Sequence, residues 1–317
     1  MNTGEHVSWN LYSWFQAYPV FIQIALVVIV LSILLFLLGN ASLIIDRIRA
    51  SYNTTRTDLA SSIVTAELVA GLVAEDDYTD SEFNKFVKRV KSLTAKGAFF
   101  KQVVIDQIIY YRRNFTDSTE QMLGKLFSKL GLFDNIVRKL KSSSWVQKVR
   151  GLREIQELKP EESVGQFIDP LLNDSNSALR IEAQATFLRL NQDDPFGFLK
   201  DATEELLPLH QIILFEIVAN TQELPMPDLA SLLQSPNTSV VSFAIKLSGY
   251  YQQFEIIPQL IALLDHDSQA IRSEAIEVLG KLGAEESEAI MIAKFPQEEQ
   301  KVKLKILEAI GTMKTGM

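Results

Sequence analysis

Few side chains in this 317-residue sequence have a type and spacing that could do chemistry. There are three histidines, His6, His210 and His266. A metal site needs several ligands brought together at close spacing, and none of the three has them nearby in sequence. His266 falls in an inter-helix turn, where a solvated role is expected. His210 stands near the start of a helix, where a structural or surface role is expected. The acidic pairs Asp193-Asp194, Glu204-Glu205 and Glu285-Glu286 lie in loops or at helix starts. There they favour the helix dipole and solubility. Cysteine is absent, which excludes disulfides, thiolate nucleophiles and Cys-based metal centres. No H-E-x-x-H, G-x-S-x-G or P-loop pattern occurs. We therefore expect no catalytic residue, no metal and no cofactor.

Basic residues form the more informative constellation. The formal net charge of -8 is unevenly spread. Residues 79–159 hold 17 basic and 8 acidic side chains, whereas residues 160–317 hold 11 and 24. Within the basic stretch, Lys85, Lys88, Arg89 and Lys91 share one helix, Arg112 and Arg113 follow Tyr110-Tyr111, and Lys139, Lys141, Lys148, Arg150 and Arg153 cluster further on. Such a stretch can be a solvated face. It can attract anionic lipid headgroups, at about 1 kcal/mol per residue near the surface. It can also dock an acidic partner. Lys85, Lys88, Arg89, Arg112, Arg113, Lys139 and Lys141 are the candidate lipid or partner contacts. Nucleic acid is not expected, because no recognisable nucleic-acid motif accompanies the charge. The aromatic pairs Phe99-Phe100, Tyr110-Tyr111 and Tyr250-Tyr251 are each expected to place one ring in a core and one on the surface, because neighbours on a helix point about 100° apart. Four N-x-S/T sequons, at Asn53, Asn114, Asn173 and Asn237, would stay unmodified in a cytoplasmic body.

Something must hold these residues in place, and the first element is an anchor. Val20 to Leu38 is interrupted only by Gln23 and Ser32. Its length, roughly 28 Å as a helix, suits a hydrocarbon core of about 30 Å. Trp9, Tyr12, Trp14 and Tyr18 precede it and suit an interfacial belt; Arg47, Arg49 and Arg56 follow it, and no Lys or Arg comes before. The positive-inside rule then puts the N-terminus outside and the body in the cytoplasm, single-pass in the inner (plasma) membrane. A cleaved signal peptide is the competing reading, since Gly39-Asn40-Ala41 resembles a cleavage site. The run is too long for one, however, and lacks a basic n-region.

Beyond the anchor the pattern is helical throughout. The polar Ser51–Thr57 segment reads as a hinge, followed by a helix over Leu59–Ala74 and an acidic turn over Glu75–Asp80. Thr79 and Glu82 are spaced as a capping box for a helix from Ser81 to Thr94. Phe99–Phe115 and Gln121–Leu130 follow, the second introduced by Asp117 and Glu120. No sustained alternation of the kind a strand needs is present.

From there the sequence repeats. Gly151, Ala183, Leu214, Ala244, Ala275 and Ile306 occupy one register with steps of 30 to 32 residues. We expect them to be the repeat core. Each lies in the second of two antiparallel helices of about 12 residues, and Leu172, Leu233 and Leu264 mark the first. Neither helix can bury its apolar stripe alone, so the units must stack.

At these residues the chain resembles the HEAT-repeat family in its short form. Pro170, Pro227 and Pro258 in the first helix, the polar turn, and Arg180 and Arg272 early in the second helix carry the resemblance. Lys148, Gln211, Val241 and Lys303 replace the arginine elsewhere. The resemblance implies an all-α, right-handed α-solenoid that binds proteins. Some short-repeat relatives are bilin lyases, and one helical-repeat group comprises DNA glycosylases. The expected organisation is an extracytoplasmic N-terminus (1–18), a transmembrane helix (19–40), a juxtamembrane helix and hinge (41–57), a basic helical region (58–132) and HEAT-like repeats (133–312). The expected function is a membrane-tethered, non-enzymatic scaffold for a cytoplasmic or membrane protein, with lipid met through the anchor and through anionic headgroups. An accessory role in an envelope-building complex such as a polysaccharide synthase is the narrower form. An enzyme of the bilin-lyase-like group is the alternative, and it would present a concave pocket lined by acidic residues, with His210 a candidate contributor rather than a required one.

Overall fold

The computed structural model describes residues 15, 18–72, 79–115, 118–161, 163–221 and 224–314, with residues 39–53 described for their backbone only. Trp9, Tyr12, Trp14, Asp117 and most of the acidic turn lie outside the described residues. The chain divides into two compact bodies, residues 1–70 and 71–317. Among the described residues all regular structure is helical.

Helix α1 runs without interruption over Val20–Leu72. The expected hinge at residues 51–57 is therefore helical. Ser, Asn and Thr each disfavour a helix by only a fraction of a kcal/mol, and no Gly or Pro stands there to break it. The first part, Val20–Leu38, is long and apolar enough to cross a membrane, and none of it is buried. Fourteen of its sixteen large apolar side chains are each more than half exposed. Holding these in water would cost on the order of 20–40 kcal/mol. Gln23, one of its two polar residues, donates from Nε2 to the Tyr18 carbonyl at 2.7 Å.

The second body begins with α2 (Asp80–Thr94), α3 (Ala98–Asn114) and α4 (Ser118–Lys129). The Thr79–Glu82 capping box is formed in both directions. Helix pairs follow. The second helix of each pair is α6 (Trp145–Leu158), α8 (Ser177–Leu190), α9 (Pro208–Asn220), α11 (Thr238–Tyr250), α13 (Gln269–Leu282) and α15 (Gln300–Lys314). They stack in chain order over a core continuous from Ala185 to Met313. Gly151, Ala183, Leu214, Ala244, Ala275 and Ile306 sit on these six helices, all buried. Gly151 is small for a steric reason: a Cβ there would lie 3.0 Å from a Leu140 methyl.

The first helices are less regular than a uniform 12 residues. They are α5 (Phe133–Leu140), α7 (Gly165–Ile168), a single 3-10 turn at Gly197–Leu199, α10 (Leu229–Leu232), α12 (Ile257–Ala262) and α14 (Glu288–Lys294). Only the last two units reach full length, through 3-10 turns at both ends.

The stack obeys a rule that ties neighbouring units. The residue two after the core position meets the residue one before the core position of the next unit. Arg153 pairs with Glu182 at 2.9 Å, Lys246 with Glu274 at 3.2 Å and Glu277 with Lys305 at 3.2 Å. Helix α3 joins the same series. Its Asp106 pairs with Arg150 at 3.0 Å, which puts the buried Val104 at a core position ahead of unit one. The step from Val104 to Gly151 exceeds a repeat by about one helix, and α4 is the extra helix. Part of the basic region therefore stacks as a repeat helix.

Candidate interaction groove

The ion-pair series has a gap, and the gap is where the surface turns apolar. Between units two and three the paired positions hold Ala185 and Ile213. Between units three and four they hold Glu216 and the buried Phe243. Helix α9 is responsible. Its sequence, PLHQIILFEIVAN, is apolar on every side and contains one charged residue, Glu216. Leu209 is 61% exposed and Ile212 63% exposed, although both lie on a helix of the repeat stack.

A groove of about 810 Å³ opens beside them across α9, α11 and α13. Ile212, Phe215, Ile245, Tyr250 and Val278 form its apolar surface. The Phe215 and Tyr250 rings meet edge to face, with centroids 5.0 Å apart. Gly249 adds no side chain, which keeps the floor open. Lys246 crosses the middle: its Nζ donates to Gln211 Oε1 at 2.6 Å and pairs with Glu274. Glu277 holds both Lys281, at 2.7 Å, and Lys305, and its carboxyl is held below the usual range by those hydrogen bonds. Glu216, at the groove edge, has no ion-pair partner among the described residues.

The sequence-derived basic contacts fare unevenly. Lys85 and Lys88 are exposed on α2. Arg89 is exposed with its guanidinium 5.9 Å from the Phe86 ring centroid, and the Lys141 ammonium lies 5.5 Å from the Phe167 centroid. The other three serve internal bonding. Arg112 donates to the Leu158 carbonyl at 2.5 Å and pairs with Glu120, and its side chain is only 10% exposed. Arg113 forms a fork on Glu157, whose carboxyl it holds below the usual range. Lys139 pairs with the buried Glu154, and burial pushes its ammonium pKa down. Arg112 and Lys139 brace α3 and α5 against α6 with little exposure, whereas Arg113 remains 62% exposed while it pairs with Glu157. Sequence periodicity could not reveal this, because the acidic partners lie up to 44 residues away.

His210 has no access to a ligand. Its side chain is buried, both ring nitrogens lack a hydrogen bond of ordinary geometry, and it lines neither the groove nor the larger polar cleft between units two and three. Burial and the nearby Arg180 guanidinium push its pKa down to about 4, with a backbone group at Ser177 acting in the opposite sense. Among the described residues no group of three His, Asp or Glu is placed to hold a metal.

Arg180 and Arg272, the residues that carried the family resemblance, do the same structural task in their units. Arg180 donates to the Asp174 and Ser175 carbonyls, and Arg272 to the His266 and Asp267 carbonyls. Each closes the turn between the two helices of its unit. A scan against family models matches residues 226–311 to HEAT repeats. That segment is built of HEAT repeats. The match covers units four to six, where α11, α13 and α15 stack in register. The earlier HEAT-like units depart most in α9 and the shortened first helices, outside the matched segment. No curated protein matches the chain.

Proposed function

We propose that the chain is a membrane-tethered, non-enzymatic scaffold that binds another protein along the groove of units three to five. The observation that carries this reading is the groove itself: exposed Ile212 and Tyr250 at a break in the inter-unit ion pairs. Rigid aromatic and aliphatic anchors beside a polar rim are the usual composition of a protein-binding surface. HEAT repeats in general act this way, which agrees with the site.

Val20–Leu38 is the proposed membrane span. Arg47, Arg49 and Arg56 after it, with no basic residue before it, favour an N-terminus outside and a cytoplasmic body. Such an anchor raises the local concentration of the groove toward partners in or near the same membrane. An envelope-building complex such as a polysaccharide synthase is one class of assembly this would serve. Lipid contact is proposed through the anchor and through Lys85, Lys88 and Arg89.

The test is affinity purification of the full chain from detergent-solubilised membranes, with mass spectrometry. A partner enriched well above background is expected. Recovery of none from membranes that express the chain at native level would overturn the scaffold reading.

A further inference from the structure

We infer that the groove's occupant is an amphipathic helix that places a Lys or Arg against Glu216 and apolar side chains over Ile212, Phe215 and Tyr250. This rests on the scaffold reading and adds the chemistry of the partner. The argument comes from the ion-pair rule. At three of the five junctions between units one and six, the residue two after the core is charged and meets an opposite charge in the next unit. Glu216 occupies that position in unit three, but the residue facing it in register is the buried Phe243. The carboxylate is exposed and its internal counter-ion is missing. The cations nearest along the groove are engaged elsewhere: Lys246 with Glu274 and Gln211, and Lys281 with Glu277.

Residues 160–317 carry 24 acidic and 11 basic side chains, so the field around the groove also favours a basic segment. The dimensions fit a short helix. Three stacked helices at 8–10 Å between axes span roughly 20 Å, about the length of a 14-residue helix. Apolar positions at i, i+3 or i+4 and i+7 would lie on Phe215, Ile212 and Tyr250, with flanking cations toward Glu216.

The experiment uses the full chain in nanodiscs of phosphatidylcholine and two fluorescent 14-residue amphipathic peptides. Both carry leucine on one face; one has lysine on the other face and one has glutamate. Anisotropy should show the lysine peptide binding about tenfold tighter than the glutamate peptide, an advantage that shrinks with salt. Glu216→Lys should reverse the preference, and Ile212→Asp should abolish binding of both. Both residues are exposed, so neither change disturbs the core. Equal binding of the two peptides by the unaltered chain would overturn the inference, as would an unchanged preference in Glu216→Lys. Binding that survives Ile212→Asp reports partition into the bilayer and also overturns it. If the peptides show no charge preference while a purified partner is still lost on Ile212→Asp, the scaffold reading stands and the basic occupant falls.

Discussion

Gly280 on α13 and Ala309 on α15 are packed so closely that a Cβ on the glycine would lie 2.8 Å from the alanine's Cα. The relationship is part of the repeat. Gly249 meets Val278 and Gln156 donates to Thr186 at 2.7 Å, each pair joining the residue five after one core position to the residue three after the next. Three junctions thus use the same two positions with different chemistry: close backbone contact, methyl contact and a hydrogen bond.

Gly280→Ala should destabilise the repeat body by about 1–3 kcal/mol, because backbone blocks the new methyl group. Gly249→Ala meets Val278 methyls only at 3.4 Å, an ordinary contact. It should be neutral or stabilise by up to about 1 kcal/mol through helix propensity. Urea unfolding of the full chain in mild detergent compares the two. Equal effects would show that the inter-helix distance is not what separates these glycines.

Arg272 joins two units. It closes its own turn and forks onto both oxygens of Glu298 at 2.9 Å, with both side chains largely buried and its own pKa raised by that pairing. Arg272→Ala should cost about 3 kcal/mol, since it leaves Glu298 and two turn carbonyls without their donor. Arg272→Lys should recover little, because an ammonium cannot reproduce the planar fork. Thermal midpoints of the three proteins measure this, and full rescue by lysine would contradict it.

His210 sets a pH dependence. Its folded pKa is lowered to about 4 from an ordinary 6.5. Below pH 6.5 the unfolded chain takes up a proton that the folded chain excludes, so stability is complete above that value and falls as pH drops toward 4. The slope should approach 1.4 kcal/mol per pH unit, roughly, within that window. Glu120, Glu157 and Glu277 have lowered pKa values and lose their contribution only at and below the carboxylate range. Unfolding between pH 5 and 6.5 therefore isolates the imidazole. His210→Leu should flatten the profile there, and an unchanged slope would rule out His210 as its source.

Orientation can be read separately. A reporter that is active only in the periplasm, fused after Met317, should stay silent, while a cytoplasmic reporter at the same point should work. The reverse pattern would place the repeats outside and favour a cleaved leader.

Much of the repeat was readable because core positions recur at fixed spacing, and burial of an apolar face imposes that spacing on every second helix. Val104 escaped because α4 is inserted between it and Gly151, which breaks the count. The first helices were overestimated, since a few leucines and a proline look alike whether they form one turn or three. The hinge was misread because polar composition alone does not stop a helix. Arg112 and Lys139 looked like surface charge because the α6 groups they meet, the Leu158 carbonyl and Glu154, are distant in sequence. Nor did sequence mark the groove. Ile212 and Leu209 resemble core residues, and only the stack reveals that nothing within it covers them.

The most direct test of the account is the comparison of partners recovered with the full-length chain and with its Ile212→Asp variant, each purified in detergent at matched level. We expect a partner with the former and at least about a tenfold loss with the latter, whose helical content should be unchanged. The same partner recovered equally well with Ile212→Asp would contradict the assignment of this groove as the binding surface.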